Sequence, residues 1–129
     1  MNVFISYASQ DAEWARELTK ALKRSGFRAW DPSEIGPGEN WSLEIGKALE
    51  KSDAMVVLLS PASARSESVK REIDYALTSK RFHERLIPVM VKQTTKYPWV
   101  LADLVIEKGE PNEVVKRIAK RLRATSSMN

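Results

Sequence analysis

The chain has 129 residues, a formal net charge of +4, no cysteine and a single histidine, His83. This length suits one domain with its own core, so we expect a single domain over 1–124 and a polar tail over 125–129. The lack of cysteine excludes disulfides and a cysteine nucleophile, and one histidine cannot build the usual zinc sites, so no metal site is expected. No apolar run approaches the roughly 20 residues of a membrane helix, and we expect a cytoplasmic protein.

Short apolar runs alternate with segments of helical periodicity along the whole chain. The predicted strands are 1–6, 27–30, 54–59, 85–91 and a brief run at 104–106. Helices are expected to begin at Ser9 or Asp11, at Asn40, at Ser66 or Ser68, and at Pro111. Side chains of these polar types cap helices, and proline is accepted in the first helical turn. This alternation predicts an α/β fold, a flavodoxin-like doubly wound sheet of five parallel strands with right-handed crossovers.

Two strands suggest where each lies in the sheet. The run 54–59 is apolar throughout, as expected of a central strand that is buried on both faces. With the first strand beside it, the strand order is expected to be 2-1-3-4-5. Pro88 cannot donate a backbone hydrogen bond, which places the fourth strand toward an edge or at a bulge.

Such sheets bind ligands outside the carboxyl ends of their strands, where the strand order reverses. Residues 6–10 and 31–39 are the loops expected at this edge. The second of these loops is rich in proline and glycine, which is typical of a shaped and exposed loop. The sequence therefore predicts a binding crevice between these loops and the helix that begins after Asn40.

That second helix carries the most informative acid. Trp41, Ile45, Ala48 and Leu49 recur at helical spacing and are expected to face inward. Glu44 lies on the shoulder of this stripe, where its carboxylate could point into the crevice. The ordinary alternative is that Glu44 complements the positive end of the helix dipole.

Other families with this fold outline are not supported by the motifs. Ser6-Tyr7 and Ser60-Pro61 stand where a phosphorelay receiver needs acids. The hydroxyls of Ser6 and Ser9 alone do not make a flavin phosphate loop, and P-loop and GxGxxG fingerprints are absent from the sequence.

Five stretches together resemble the Toll/interleukin-1 receptor (TIR) domain family. In chain order they are FISYASQD, FRAWDPSEIGPGENW, IGKALEKSDAMVVLLSP, SVKREIDYAL and LIPVMV. The resemblance spans nearly the whole chain and looks closest to the small bacterial members of the family. One position departs from the family pattern W-x-x-x-E-I, because Ser68 stands at the aromatic position while Glu72 is retained.

The resemblance implies either an enzyme or an adaptor. Enzymatic TIR domains cleave the nicotinamide–ribose bond of NAD and depend on a glutamate that the resemblance places on Glu44, with Glu39 and Glu50 as weaker candidates. NAD would be the substrate, with no further cofactor, and the product would be ADP-ribose or a cyclic ADP-ribose. A signal in anti-phage defence, read by a downstream effector, is the expected role.

One glutamate is chemically sufficient because nicotinamide leaves as a neutral molecule and needs no general acid. A carboxylate near the ribose can stabilise the developing oxocarbenium charge. Six further residues are expected to contact the substrate: Ser6, Tyr7, Ala8, Ser9, Asp31 and Trp41.

The alternative is a non-catalytic module that acts by TIR–TIR association. Gly36, Pro37 and Gly38 shape the exposed loop that the resemblance implies for self-association. The basic last helix is interpreted as a solvated face, so no nucleic-acid partner is expected.

Overall fold

The structure is a computed structural model that describes residues 1–126. Within them the strands are β1 (Asn2–Ser6), β2 (Arg28–Trp30), β3 (Ala54–Leu59), β4 (Leu86–Met90) and β5 (Glu107–Lys108), and the α-helices are α1 (Ala12–Arg24), α2 (Trp41–Lys51), α3 (Glu67–Thr78) and α4 (Pro111–Ser126). The strands form one sheet in the order β2-β1-β3-β4-β5, and all neighbours are parallel. The predicted fold class and strand order are confirmed.

Two apolar cores cover the two faces of the sheet, because successive side chains of a strand point to opposite sides. Val3 and Ile5 of β1 pack in the core shared with α1 and α4. Phe4 packs in the core shared with α2 and α3 and stacks on Trp30, with the ring centroids 5.3 Å apart. All six residues of β3 are buried, which confirms its central place.

Local capping residues set the ends of the helices. The Asn40 side chain accepts a hydrogen bond from the Leu43 N–H at 3.0 Å, which confirms the predicted start of α2. Ser66 caps α3 by accepting from the Val69 N–H at 3.3 Å. After α1, Gly26 has a φ of +91°, the left-handed conformation that closes many helices.

The last strand lies three residues later than expected. The predicted run 104–106 is not a strand, and β5 is formed by Glu107 and Lys108. Glu107 is buried, and its carboxylate is held by Arg117 Nε at 2.8 Å and Arg121 Nη1 at 3.0 Å, both from α4. These charge-assisted contacts fasten Glu107 at the sheet edge, whereas Val105 stays two-thirds exposed.

The fourth strand tolerates its proline because of the short strand beside it. Pro88 pairs in register with Val57 of β3, and β5 pairs only with Val89 and Met90. Within residues 1–126, Pro88 therefore has no strand partner on the β5 side. This agrees with the prediction that the proline lies toward an edge.

The structure differs from the sequence-based expectations at Trp41 and at the start of the C-terminal tail. Trp41 was expected to face inward, but it is 51% exposed, because the core contacts of α2 come from Ile45, Ala48 and Leu49 and do not reach its first turn. The predicted tail 125–129 begins inside α4, which ends at Ser126, and residues 127–129 lie outside the described part of the chain. No helix in the described part is long and apolar enough to cross a membrane.

Candidate active site

The residues predicted to line the crevice after β1 are mostly buried. Ser6 is fully buried, Ala8 is 4% exposed and Asp31 is 5% exposed, whereas Ser9 is exposed to solvent. Ser6 shares a face of β1 with Phe4, so its hydroxyl points toward α2 and α3. The Ser6 hydroxyl must therefore find its hydrogen-bond partner inside the protein.

The partner of Ser6 is a buried carboxyl on α3. Glu72 is 4% exposed, and its Oε1 accepts a hydrogen bond from Ser6 Oγ at 2.6 Å. Burial raises the pKa of Glu72 from its ordinary 4.5 to about 7, and the hydrogen bond from Ser6 offsets part of this rise. No ion pair holds Glu72 within residues 1–126. A carboxyl that titrates near neutral pH is characteristic of catalytic sites.

Glu72 lies at a cleft of about 270 Å³ between α2 and α3. Trp41 and Gly46 line it from α2, and Arg71 and Tyr75 line it from α3. Half of the Trp41 surface is open to solvent. The cleft thus combines a flat aromatic side chain, a cation and a near-neutral carboxyl.

Tyr7 and Asp31 contact each other at the same edge of the sheet. Tyr7 Oη donates to Asp31 Oδ1 at 3.2 Å, and this oxygen also accepts from the Ser33 N–H at 2.7 Å and from the Ser33 hydroxyl. Thr19 Oγ1 donates to the other oxygen of Asp31 at 3.4 Å. Burial first, and then the charge of Asp31, raise the pKa of Tyr7 to about 12, so the phenol is neutral at physiological pH. The pair ties the start of the loop 32–39 to β1.

Glu44 lies on the other flank of α2, apart from Ser6 and Glu72. It lines a groove of about 310 Å³ together with Arg28 and Trp30 of β2, and this groove extends to Asn2 at the amino end of β1. The Glu44 side chain is 29% exposed, and its Oε1 lies 3.5 Å from Lys47 Nζ. The structure therefore gathers the predicted residues Ser6 and Trp41 around Glu72 and leaves Glu44 outside that group.

The predicted self-association loop is exposed and has a defined shape. Pro37 and Gly38 are exposed, and Gly38 has a φ of +81°. The Gly36 N–H donates to Glu39 Oε1 at 2.8 Å, and a Cβ on Gly36 would come within 2.6 Å of that oxygen. A side chain at 36 would have to displace only the flexible end of Glu39, whereas the left-handed backbone at 38 favours glycine.

Two of the larger cavities in the described part of the chain contain none of the predicted site residues. One of about 820 Å³ lies between Leu59, α3 and the segment 94–98, and one of about 640 Å³ lies between the starts of α1 and α4. Asp11, in the second cavity, is engaged by the Ser60 hydroxyl at 2.5 Å. The cleft at Glu72 is smaller, but among these cavities it is the one whose buried carboxyl has a pKa shifted toward neutrality.

A model of the TIR domain family matches residues 3–108 of this chain. The chain belongs to the TIR domain family. The match spans β1 to β5 and so includes the whole cleft around Glu72. No curated protein matches the chain.

Solved TIR domain structures share the fold. The TIR domain of the Toll-related receptor TRR-2 from Hydra magnipapillata is 22% identical, with 98% of each chain covered and a TM-score of 0.75. The TIR domains of the activated Roq1 resistosome, which directly recognises the pathogen effector XopQ, are 20% identical, with 99% of this chain and 84% of that chain covered and a TM-score of 0.61. Diflavin flavoprotein A3 from Nostoc sp. is 10% identical over 98% of this chain and 94% of that chain, with a TM-score of 0.57, in line with a flavodoxin-like sheet.

Glu72 was not proposed as a site residue from the sequence, although two signals pointed to it. Val69, Ile73 and Ala76 form the inward stripe of α3, and Glu72 lies three residues after Val69 and four before Ala76. A glutamate inside an apolar helical stripe must be buried, paired or functional. The glutamate of the TIR pattern W-x-x-x-E-I also falls on Glu72, and Ser68, at its aromatic position, lines the same cleft.

Proposed function

We propose that this TIR domain cleaves the nicotinamide–ribose bond of NAD and that Glu72, not Glu44, supplies the carboxylate. The observation that carries the proposal is the burial of Glu72 at the cleft between α2 and α3, which raises its pKa to about 7. Glu44 is partly exposed and already faces Lys47, so its charge is compensated before any substrate arrives.

The reaction needs one carboxylate and one water. The bond from the ribose C1′ to the nicotinamide nitrogen breaks, and both electrons go to the nitrogen, so nicotinamide leaves neutral. Water forms the new bond to C1′ and releases a proton, which gives ADP-ribose. The Glu72 carboxylate, desolvated in the cleft, stabilises the positive charge that develops on the ribose between these two events. The cationic nicotinamide ring of the substrate also favours the ionised form of Glu72.

The size and lining of the cleft suit one end of the dinucleotide. A volume of about 270 Å³ lies just below the usual range for ligand pockets, so the cleft can take the nicotinamide–ribose portion while the rest of NAD stays outside. The half-exposed ring of Trp41 can stack on the flat nicotinamide. Arg71 lines the same cleft and can meet the pyrophosphate at its mouth.

The test measures nicotinamide released from NAD by the purified protein and by a pair of charge-removing variants. Glu72→Gln keeps the size of the side chain and is expected to lower the rate by on the order of 10² or more. Glu44→Gln is the matched control and is expected to stay within about threefold of the parent protein. A parent protein that releases no nicotinamide would refute the activity, and loss confined to Glu44→Gln would return the catalytic role to Glu44.

We also propose that the loop holding Gly36, Pro37 and Gly38 mediates self-association. The support is the exposure of Pro37 and Gly38 next to the exposed apolar side chains of Trp41 and Leu43, since a surface of this kind favours protein contacts. A non-catalytic adaptor would need this surface without the chemistry of Glu72. Three further points stay predictions: the product as ADP-ribose or a cyclic ADP-ribose, a downstream effector that reads it, and a role in anti-phage defence.

A further inference from the structure

Ser6 occupies an unusual place for a serine. It is the last residue of the central strand β1, it is fully buried, and its hydroxyl donates to Glu72 Oε1 at 2.6 Å. An apolar side chain would fill such a buried position without needing a polar partner, as Phe4 does on the same face of β1. The single side-chain partner of Ser6 within residues 1–126 is the Glu72 carboxyl.

We infer that Ser6 is a positioning residue that anchors one oxygen of Glu72 to the sheet and favours the ionised carboxylate facing the cleft. The catalytic half of this inference rests on the proposed function, whereas the contact between Ser6 and Glu72 does not. Ser6 pairs in register with Val57 of β3 and is fully buried, so its hydroxyl is a fixed donor. A length of 2.6 Å is typical of a strong O–H···O⁻ hydrogen bond.

The surroundings of Glu72 leave few other groups to favour its charged form. From the β1 side, the Tyr7 phenol interacts with Glu72 but is neutral at physiological pH. From α3 itself, Arg71 and Tyr75 line the cleft, and Arg71 is exposed to solvent. The α2 residues that line the cleft are all uncharged: Trp41, Ser42, Ile45, Gly46 and Leu49. Ser6 is therefore the buried donor that opposes the desolvation of the carboxylate.

Three substitutions separate this role from simple filling of space. Ser6→Ala removes the donor, and Ser6→Cys keeps the shape with a much weaker donor, so one can replace the other if either folds poorly. Ser6→Thr keeps the hydroxyl and is the rescue variant. Ser9→Ala is the matched control, because Ser9 is exposed and its hydroxyl donates to Gln10 Oε1 at 3.2 Å, away from Glu72.

The primary measurement is a ¹³C NMR titration of the glutamate carboxyls, with the Glu72 signal assigned from its absence in Glu72→Gln. Ser6→Ala and Ser6→Cys are expected to move the Glu72 midpoint upward by about one pH unit, because the bond to the ionised form is lost. Ser6→Thr and Ser9→Ala are expected to titrate like the parent protein. A Glu72 midpoint that is unchanged in both Ser6→Ala and Ser6→Cys would overturn the inference.

The second measurement is the pH profile of nicotinamide release. Its midpoint is expected to move up with the NMR midpoint in Ser6→Ala, which a merely destabilised variant would not show. Lower activity at every pH without any movement of the midpoint would assign Ser6 a structural role and refute the positioning role. If the parent protein cleaves no NAD, the proposed function fails alone, and the titration still decides the contact between Ser6 and Glu72.

Discussion

The two flanks of α2 place glutamates in opposite surroundings. On the flank that faces β2, Glu44 is 29% exposed and lies 3.5 Å from Lys47. On the flank that faces α3, Glu72 is 4% exposed, is bonded to a serine and titrates near pH 7. Glu44 lies on α2 and Glu72 lies on the neighbouring α3, but only the Glu72 carboxyl is shielded from solvent. The difference teaches that depth and hydrogen bonding, more than position on a helix shoulder, decide which carboxyl has its pKa moved toward neutrality.

The pH dependence of stability gives the largest expected contrast between the two acids. Unfolded Glu72 loses its proton near its ordinary pKa of 4.5, whereas folded Glu72 keeps it up to about 7. The folded state therefore binds more protons across this window, and stability falls as the pH rises through it and is level above it. A pKa raised from 4.5 to about 7 corresponds to about 3 kcal/mol in total.

Urea denaturation at about pH 5 and about pH 8 measures this contrast. Glu72→Gln is expected to lack the extra loss of stability between the two pH values, so its advantage over the parent protein grows toward about pH 8. Glu44→Gln is expected to follow the parent protein at both. If Glu72→Gln and the parent protein lose the same amount, Glu72 is ionised in the folded protein and the contrast between the flanks is wrong.

Two glycines near α2 are expected to respond to alanine with opposite signs. Gly38→Ala strains a residue with a φ of +81° and is expected to cost about 1 kcal/mol and to weaken self-association in light scattering. Gly46→Ala places a methyl in open space on the cleft side of α2 and is expected to stabilise the fold by about 0.5–1 kcal/mol.

The activities of these variants sharpen the comparison further. The added methyl of Gly46→Ala narrows the cleft, so this variant is expected to be more stable yet slower with NAD. Thermal melting and nicotinamide release measured on the same samples test both halves. A Gly46→Ala protein with full activity would show that the substrate does not use this side of α2.

Replacing Trp41 tests whether NAD binds at the mouth of the cleft. Trp41→Ala is expected to raise the KM for NAD by about 3- to 10-fold, because an aromatic stack contributes about 0.5–1.5 kcal/mol. Melting should barely change, since half of the side chain is already in water. Leu43→Ala is the control, because Leu43 is equally exposed, at 54%, and does not line the cleft. Equal effects of both substitutions on KM would locate NAD elsewhere on this surface.

The smallest effect is expected at Glu44. Its contact with Lys47 is an exposed i,i+3 pair, so Glu44→Gln is expected to cost about 0.3–0.5 kcal/mol of stability, less at high salt. Glu17→Gln, which breaks the similar pair with Lys20, is the reference for such a contact. Urea midpoints at low and high salt measure both. A cost of about 2 kcal/mol at Glu44 alone would mean that this acid has a partner as strong as that of Glu72.

The local signals in the sequence predicted most of the fold. The apolar run 54–59 indicated a central strand, and Asn40 predicted the start of α2 by capping. Each of these depends on neighbours along the chain or on a single side chain and its own backbone. The predictions were wrong at 104–106 and for the inward direction of Trp41, where distant contacts decide the outcome.

The sequence by itself therefore determined the order of strands and helices, the family and the exposed glycine loop, because periodicity, caps and turn residues are local properties. The tertiary structure alone decided which acid is desolvated. Ser6 and Glu72 are 66 residues apart in sequence, and their 2.6 Å contact exists only because β1 and α3 pack together. Glu44 and Glu72 have the same side chain. The low dielectric of the packed interior raises the pKa of Glu72 because that carboxyl is the buried one.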